Sequence, residues 1–240
     1  MWYNVRMQNM RIQPDGIGRA ADDMSGEAER KRALRKAAIA RRKSVPLEDR
    51  ARAGERLAAV SQSLIAQYGA GNTVAAYVSM GSEIPMQSLL QALLERGVRL
   101  LVPMLGSGMD VGWGELASLD DLRAVGGDAT PARGGMSDRL ASSPRKHTRP
   151  DEPVHTRVFS KEALRDADLV ILPALMVDHA GTRLGRGGGW YDRALEWLDP
   201  AAHTVTVCWP WEVVEGPLPR EAHDIPVESA LTPDGLLTLR

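Results

Sequence analysis

Residues 73–105 read TVAAYVSMGSEIPMQSLLQALLERGVRLLVPML, and the reading of this stretch decides the fold class. Thr73–Met80 is a short apolar run that suits a buried strand. Ile84–Gly97 is helical, with Gly97 placed to end it, and Val98–Leu105 is again a short apolar strand. A strand, a helix and a second strand make a β-α-β unit, whose two strands run parallel. Further along, Asp168–Val177 (DLVILPALMV) and His203–Trp209 (HTVTVCW) are apolar, β-branched runs. They are separated by a glycine-rich loop and by the helical Tyr191–Leu198, which Pro200 follows. Strands that alternate with helices predict an α/β fold, a three-layer αβα arrangement with a mostly parallel central sheet.

Two helices are expected upstream of that sheet. Glu27–Lys43 (EAERKRALRKAAIARRK) is rich in helix formers, and Pro46–Tyr68 carries an apolar stripe of Leu57, Val60, Leu64 and Tyr68. Met1–Asp23 has neither helical nor strand periodicity, so residues 1–26 are expected to be a loose arm and Met24 a candidate start. Residues 27–240 then form one α/β domain. Gly126–Arg149 is rich in Gly, Ser, Pro and Arg and has no aromatic residue, which predicts a mobile surface insertion within it.

Composition narrows the function. A chain of 240 residues with 43% apolar and 25% charged residues can bury a full core. Its formal net charge of -1 provides no global field toward nucleic acid or an anionic membrane. Cys208 is the single cysteine, which excludes an internal disulfide framework and a thiolate zinc site. No apolar run reaches membrane-spanning length, and the N-terminal residues lack a signal-peptide core. A cytoplasmic monomer is expected, with neither a membrane nor a nucleic-acid partner.

The chemistry concentrates in Gly181–Leu195, GTRLGRGGGWYDRAL. Glycines let backbone N–H groups approach a phosphate, and Arg183 and Arg186 add charge. No Lys-Ser or Lys-Thr pair follows, so this is not a P-loop, and Trp190 stands where the last glycine of GxGxxG would fall. Asp192 suits either a Mg²⁺ ion or the dipole of the helix it opens. Lys31 and Arg35, four apart with Arg42 beyond them, suit either phosphates or a solvated basic face. Glu83 follows a strand, where open α/β sheets bind ligands, and could equally cap the next helix. His223 and Asp224 lie in a loop near the end, where such a pair is commonplace.

In this order, KRALRKAAIARRK, YVSMGSEIP, LLVPML, DLVILPALMVDHAGTRLGRGGGWYDRAL and PREAHDIPVESALT resemble the 5-formyltetrahydrofolate cyclo-ligase family over most of Lys31–Thr232. The resemblance implies ATP- and Mg²⁺-dependent closure of 5-formyltetrahydrofolate to 5,10-methenyltetrahydrofolate with release of ADP and phosphate. It implies that ATP is held by Lys31, Arg32, Ala33, Leu34 and Arg35 and by Arg183, Leu184, Gly185, Arg186, Gly187, Gly188, Gly189, Trp190 and Tyr191. Arg186 and Arg35 would be catalytic, Asp192 and Asp224 would hold Mg²⁺, and Val78 and Glu83 would face the pterin, with Arg186–Trp190 also touching the folate. The sequence departs from the family in having Trp190 before Tyr191 where two tyrosines are usual. It also keeps only Glu152 and Pro153 of an aromatic and proline segment that covers the folate, which leaves Trp113 or another residue to cover the ring. Two rivals remain: a nucleotide-binding regulatory protein without folate turnover, and an RNA-binding surface on the basic helix and insertion. The second lacks interleaved aromatics.

Overall fold

The computed structural model describes residues 15–68, 73–104, 112–125, 149–221 and 223–239, with side chains from Gly26 onward. Four α-helices lie among them: α1 Asp15–Ser44, α2 Leu47–Tyr68, α3 Gln87–Leu94 and α4 Trp190–Leu195. The strands in the first half are β1 Thr73–Ala75, β2 Arg99–Met104, β3 Gly112–Glu115, β4 Leu122–Arg123, β5 Glu152–Pro153 and β6 Val158–Phe159. Those in the second half are β7 Leu169–Pro173, β8 Met176–Asp178, β9 Arg183–Leu184, β10 His203–Val207, β11 Val213–Val214, β12 Ser229–Thr232 and β13 Gly235–Thr238.

Eight strands form the main sheet in the order β13-β12-β10-β7-β1-β2-β3-β6. The five from β12 to β2 are mutually parallel, and antiparallel β13, β3 and β6 finish its edges. β2 and β7 are apolar on both faces, as a sheet covered on both sides requires, whereas β10 sets Val205 and Val207 on one face and the buried Thr204 and Thr206 on the other. Val74, Leu100, Val102, Leu169, Ile171 and Val205 point to one face, where Leu57 and Leu64 of α2 and Leu89, Leu90 and Leu93 of α3 pack on them. The alternating residues Ala75, Leu101, Val170 and Leu172 point to the other, against Ala194 and Leu195 of α4 and Leu164. Leu164 belongs to a 3-10 helix, Lys161–Asp166, which completes the second helical layer. The three-layer, mostly parallel arrangement is therefore observed.

Gly97 ends α3 as expected: its φ of 74° is left-handed, and Val98 N–H donates to the Leu93 carbonyl at 3.3 Å. Other expectations are corrected. The first helix begins at Asp15 rather than Glu27, so the segment read as a loose arm is helical over its described part. Ile17, Ala20, Ala21 and Met24 recur at the i, i+3, i+4, i+7 spacing of a helix, a short signal that the sequence reading passed over. The run Thr73–Met80 pairs as a strand only over Thr73–Ala75, because the chain leaves the sheet to line a cavity. Asp168–Val177 is two strands: after Pro173 the chain passes from the main sheet into a small sheet ordered β11-β8-β9. All but Arg149 of the segment 126–149 lies outside the described residues.

From β1 the chain crosses through α3 to β2 on one side, while β7 on the other side leads through α4 to β10. The carboxyl ends of β1 and β7 thus diverge at a topological switch point, which leaves a crevice between them.

Candidate functional site

α1 lies across this crevice. Lys31, Arg35, Ala38 and Arg42 recur at spacings of four, three and four, one helical face, and Lys31, Ala38 and Arg42 are buried. Lys31 Nζ donates to Glu221 Oε1 at 2.8 Å and to Asp224 Oδ2 at 3.1 Å. Burial pulls the Lys31 ammonium down, but the two carboxylates outweigh it and hold the group above its ordinary value. Burial pushes Asp224 up, and the Glu221 N–H and Lys31 outweigh that to hold it below the usual range. Arg42 forms a two-pronged pair with Glu212, Nε to Oε1 and Nη2 to Oε2 both at 2.7 Å, and also donates to the Ala174 carbonyl just past β7. The solvated-face reading of these cations is excluded by their partners.

The glycine loop meets α1 from the opposite side. Arg35 Nε donates to the Gly185 carbonyl at 2.9 Å, and a Cβ on Gly187 would stand 3.2 Å from Arg35 Cζ. Gly187 also has φ 97°, so both sterics and backbone require glycine there. α4 has only six residues, so the charge toward the crevice comes from arginines more than from a helix dipole. Arg183 pairs with Asp192, and Arg186 Nε donates to Glu83 Oε1 at 3.0 Å. Glu83 comes from the loop after β1 and is buried; its second oxygen accepts the Met80 N–H at 2.9 Å. Burial, aided by the charge of Glu83, pushes the hydroxyls of Tyr77 and Tyr191 up, so both remain protonated donors.

These elements enclose one cavity of about 370 Å³. Lys31, Arg35, Val78, Glu83, Asp192 and Asp224 line it, as does the whole run Arg183–Tyr191. Arg32, Ala33 and Leu34 do not: Arg32 and Ala33 are exposed, since one turn of helix cannot present five consecutive residues to one side. Trp113 is also absent from the wall; it is fully buried and packs edge-on behind Trp190 at 5.3 Å. Pro150 instead reaches the cavity, whereas Glu152 and Pro153 form β5 beside β4. The sequence reading passed over Tyr77, Met80, Pro103, Glu221 and Pro150 as wall residues. The first three sit where strands β1 and β2 end, a position that the early exit from the sheet would have marked.

Among the described residues no group of three or more His, Cys, Asp or Glu forms a metal cluster. Mg²⁺ does not need one: it keeps several waters and binds through one or two carboxylates together with substrate phosphates. Asp192 and Asp224 are hard oxygen donors on the wall of one cavity, and each is balanced by a cation there, Arg183 and Lys31. The donor set fits such an ion.

Fold and site together define a three-layer α/β protein with a cavity of paired cations and carboxylates at the switch point of its sheet. The chain belongs to the 5-formyltetrahydrofolate cyclo-ligase family, whose model matches residues 27–233. It is 33% identical over 213 residues to the 5-formyltetrahydrofolate cyclo-ligase of Mycolicibacterium smegmatis, covering 86% of this chain and 96% of that protein. The enzyme of that name from Escherichia coli K12 is 30% identical over 164 residues, 68% of this chain and 78% of the relative. The NMR structure of Aquifex aeolicus 5,10-methenyltetrahydrofolate synthetase matches with a TM-score of 0.65 at 27% identity, covering 88% of this chain and 93% of that one. The synthetase structure from Mycoplasma pneumoniae, at 15% identity and a TM-score of 0.58, shares the fold. Among the described residues no helix is long and apolar enough to cross a membrane.

Proposed function

We propose that this chain closes 5-formyltetrahydrofolate to 5,10-methenyltetrahydrofolate, converting ATP to ADP and phosphate. The observation that supports this best is the convergence of Lys31, Arg35, Arg183 and Arg186 with the buried Glu83 on one cavity, since a phosphate chain and a pterin have to meet there.

The chemistry explains why both are required. A formamide carbon is a poor electrophile because nitrogen donates into the carbonyl, and oxide is a poor leaving group. Attack of the formyl oxygen on the γ-phosphorus breaks the bond to ADP and turns that oxygen into part of a phosphate. N10 of the same folate then adds to the formyl carbon, the N10 proton is lost and phosphate departs with the C–O bond, leaving the methenyl bridge. Alignment and charge stabilisation are the protein's contributions. Lys31 and Arg35 hold phosphates, and Arg186, on the glycine loop, stabilises the phosphoryl group in transfer. Glu83 and Val78 face the pterin, whose N–H groups suit a carboxylate acceptor. Mg²⁺, when bound by Asp192 and Asp224, neutralises phosphate charge. Trp190 lends its ring edge-on to Tyr191 at 4.7 Å, a wall of aromatic surface for the substrates.

The test is purified protein with ATP, Mg²⁺ and 5-formyltetrahydrofolate, followed by the absorbance of the methenyl product. ATP binding with no folate-dependent absorbance change would assign the chain to nucleotide binding without turnover.

A further inference from the structure

Glu83 and Arg186 belong to the two halves of the proposed reaction, yet they bind each other. The carboxylate expected to receive the pterin has both oxygens engaged, Oε1 by Arg186 Nε at 3.0 Å and Oε2 by the Met80 N–H at 2.9 Å. Its side chain is only 5% exposed, whereas that of Arg186 is 39% exposed. Arg186 is flanked by Gly185 and by Gly187, whose φ is 97°, so its backbone can turn with little steric penalty. Glu83 is held at the end of the sheet and Arg186 is the movable partner. The ring N–H groups of a reduced folate and the guanidinium of Arg186 therefore compete for Glu83 Oε1.

We infer that Glu83 is a latch on Arg186: without folate it retains the guanidinium, and an arriving pterin takes the carboxylate and releases Arg186 to the phosphoryl group. This rests on the function proposed above. Its consequence is selectivity between acceptors. Water can accept the γ-phosphoryl group, giving ADP, phosphate and a proton, and the latch withholds the stabilising cation until a pterin occupies Glu83. Other cations at the wall have other partners: Arg183 has Asp192, Arg42 has Glu212, Lys31 has Glu221 and Asp224, and Arg35 has the Gly185 carbonyl. Among the described residues Arg186 is the wall cation whose recorded partner is the expected pterin acceptor.

The experiment measures ATP hydrolysis with no folate present, using the full chain. Glu83→Gln keeps an oxygen for the Met80 N–H but loses the charge that retains Arg186, so folate-free hydrolysis should rise roughly tenfold or more over wild type. Adding Arg186→Ala to that variant should abolish the gain, which a general loosening of the cavity would not do. A second measurement needs no variant: tetrahydrofolate, which has the pterin but no formyl oxygen, should accelerate ATP hydrolysis by the wild-type protein. Unchanged hydrolysis in both experiments overturns the latch, as does a gain in Glu83→Gln that survives Arg186→Ala. Wild-type protein that binds ATP and turns over formylfolate yet fails these tests refutes the latch alone, whereas absence of formylfolate turnover refutes the function beneath it.

Discussion

Arg42→Met should be among the most destabilising single changes at the cavity wall. The Arg42 and Glu212 side chains are 3% and 2% exposed, so neither can be rescued by water. The substitution removes both prongs of the pair and the bond to the Ala174 carbonyl, and it leaves Glu212 with the Trp209 N–H at 2.9 Å as its recorded donor. Breaking a buried pair from one side costs about 3–5 kcal/mol, and the orphaned carbonyl adds about 1 kcal/mol. For a domain of this size each kcal/mol lowers Tm by about 2–4 °C, so a loss on the order of 10 °C is expected at neutral pH. Burial already pushes Glu212 above its ordinary 4.5, with Arg42 opposing. Without Arg42 it must rise further, and the folded state then binds a proton more tightly than the unfolded state. Stability of the variant should fall as pH rises from the unfolded value through the raised folded one. Its deficit against wild type is therefore smaller near pH 4.5 than at pH 7. Circular-dichroism melts across that range are the assay, with Arg42→Met/Glu212→Leu expected to recover most of the loss. A deficit under about 1 kcal/mol at pH 7, or one as large in acid as at neutrality, would refute the reasoning.

Gly181→Ala should destabilise the β8–β9 turn severely, by about 3 kcal/mol or more, because φ is 79° and the new Cβ would stand 2.1 Å from the Val227 carbonyl oxygen; a chemical-denaturation curve superimposable on wild type would contradict this. Asp192→Asn should raise the Mg²⁺ concentration required for half-maximal rate and lower kcat by roughly tenfold or more. It also unpairs the buried Arg183, so melting measured beside the Mg²⁺ titration separates the two losses. Arg186→Ala should lower kcat by roughly a hundredfold with little change in ATP KM, whereas Lys31→Ala should act mainly on ATP KM. Steady-state kinetics at saturating Mg²⁺ decide between these roles, and a pure KM effect for Arg186→Ala would remove its transition-state assignment.

The parallel sheet was legible because β2 and β7 are apolar on both faces, β10 is rich in β-branched residues, and all lie between helical stretches; such a pattern has few other solutions. The glycine loop drew attention because arginines stand inside it, and the run Arg183–Tyr191 does line the cavity. What escaped was set by contacts distant in sequence. Nothing local in DLVILPALMV says that Pro173 ends one strand and Met176 begins another in a different sheet; that depends on where Leu184 and Val207 stand to bond Leu175 and Ala174. Trp113 offered a large aromatic for the folate, but a side chain's composition does not reveal that Trp190 will cover it. Arg32, Ala33 and Leu34 entered by resemblance to a contiguous motif, which the helix then divided between wall and solvent.

The ion pair between Lys31 and Asp224 joins residues 193 positions apart. During synthesis the basic stripe of α1 is among the earliest described parts of the chain to emerge, and the carboxylates that neutralise it are among the latest. A ribosome-bound fragment ending before Glu221 would already hold the partners of Arg35 and Arg42, the Gly185 carbonyl and Glu212, but would leave Lys31 without its two carboxylates. Burial of the Lys31 ammonium should therefore be completed in a late step, as the segment carrying Glu221 and Asp224 closes against the first helix.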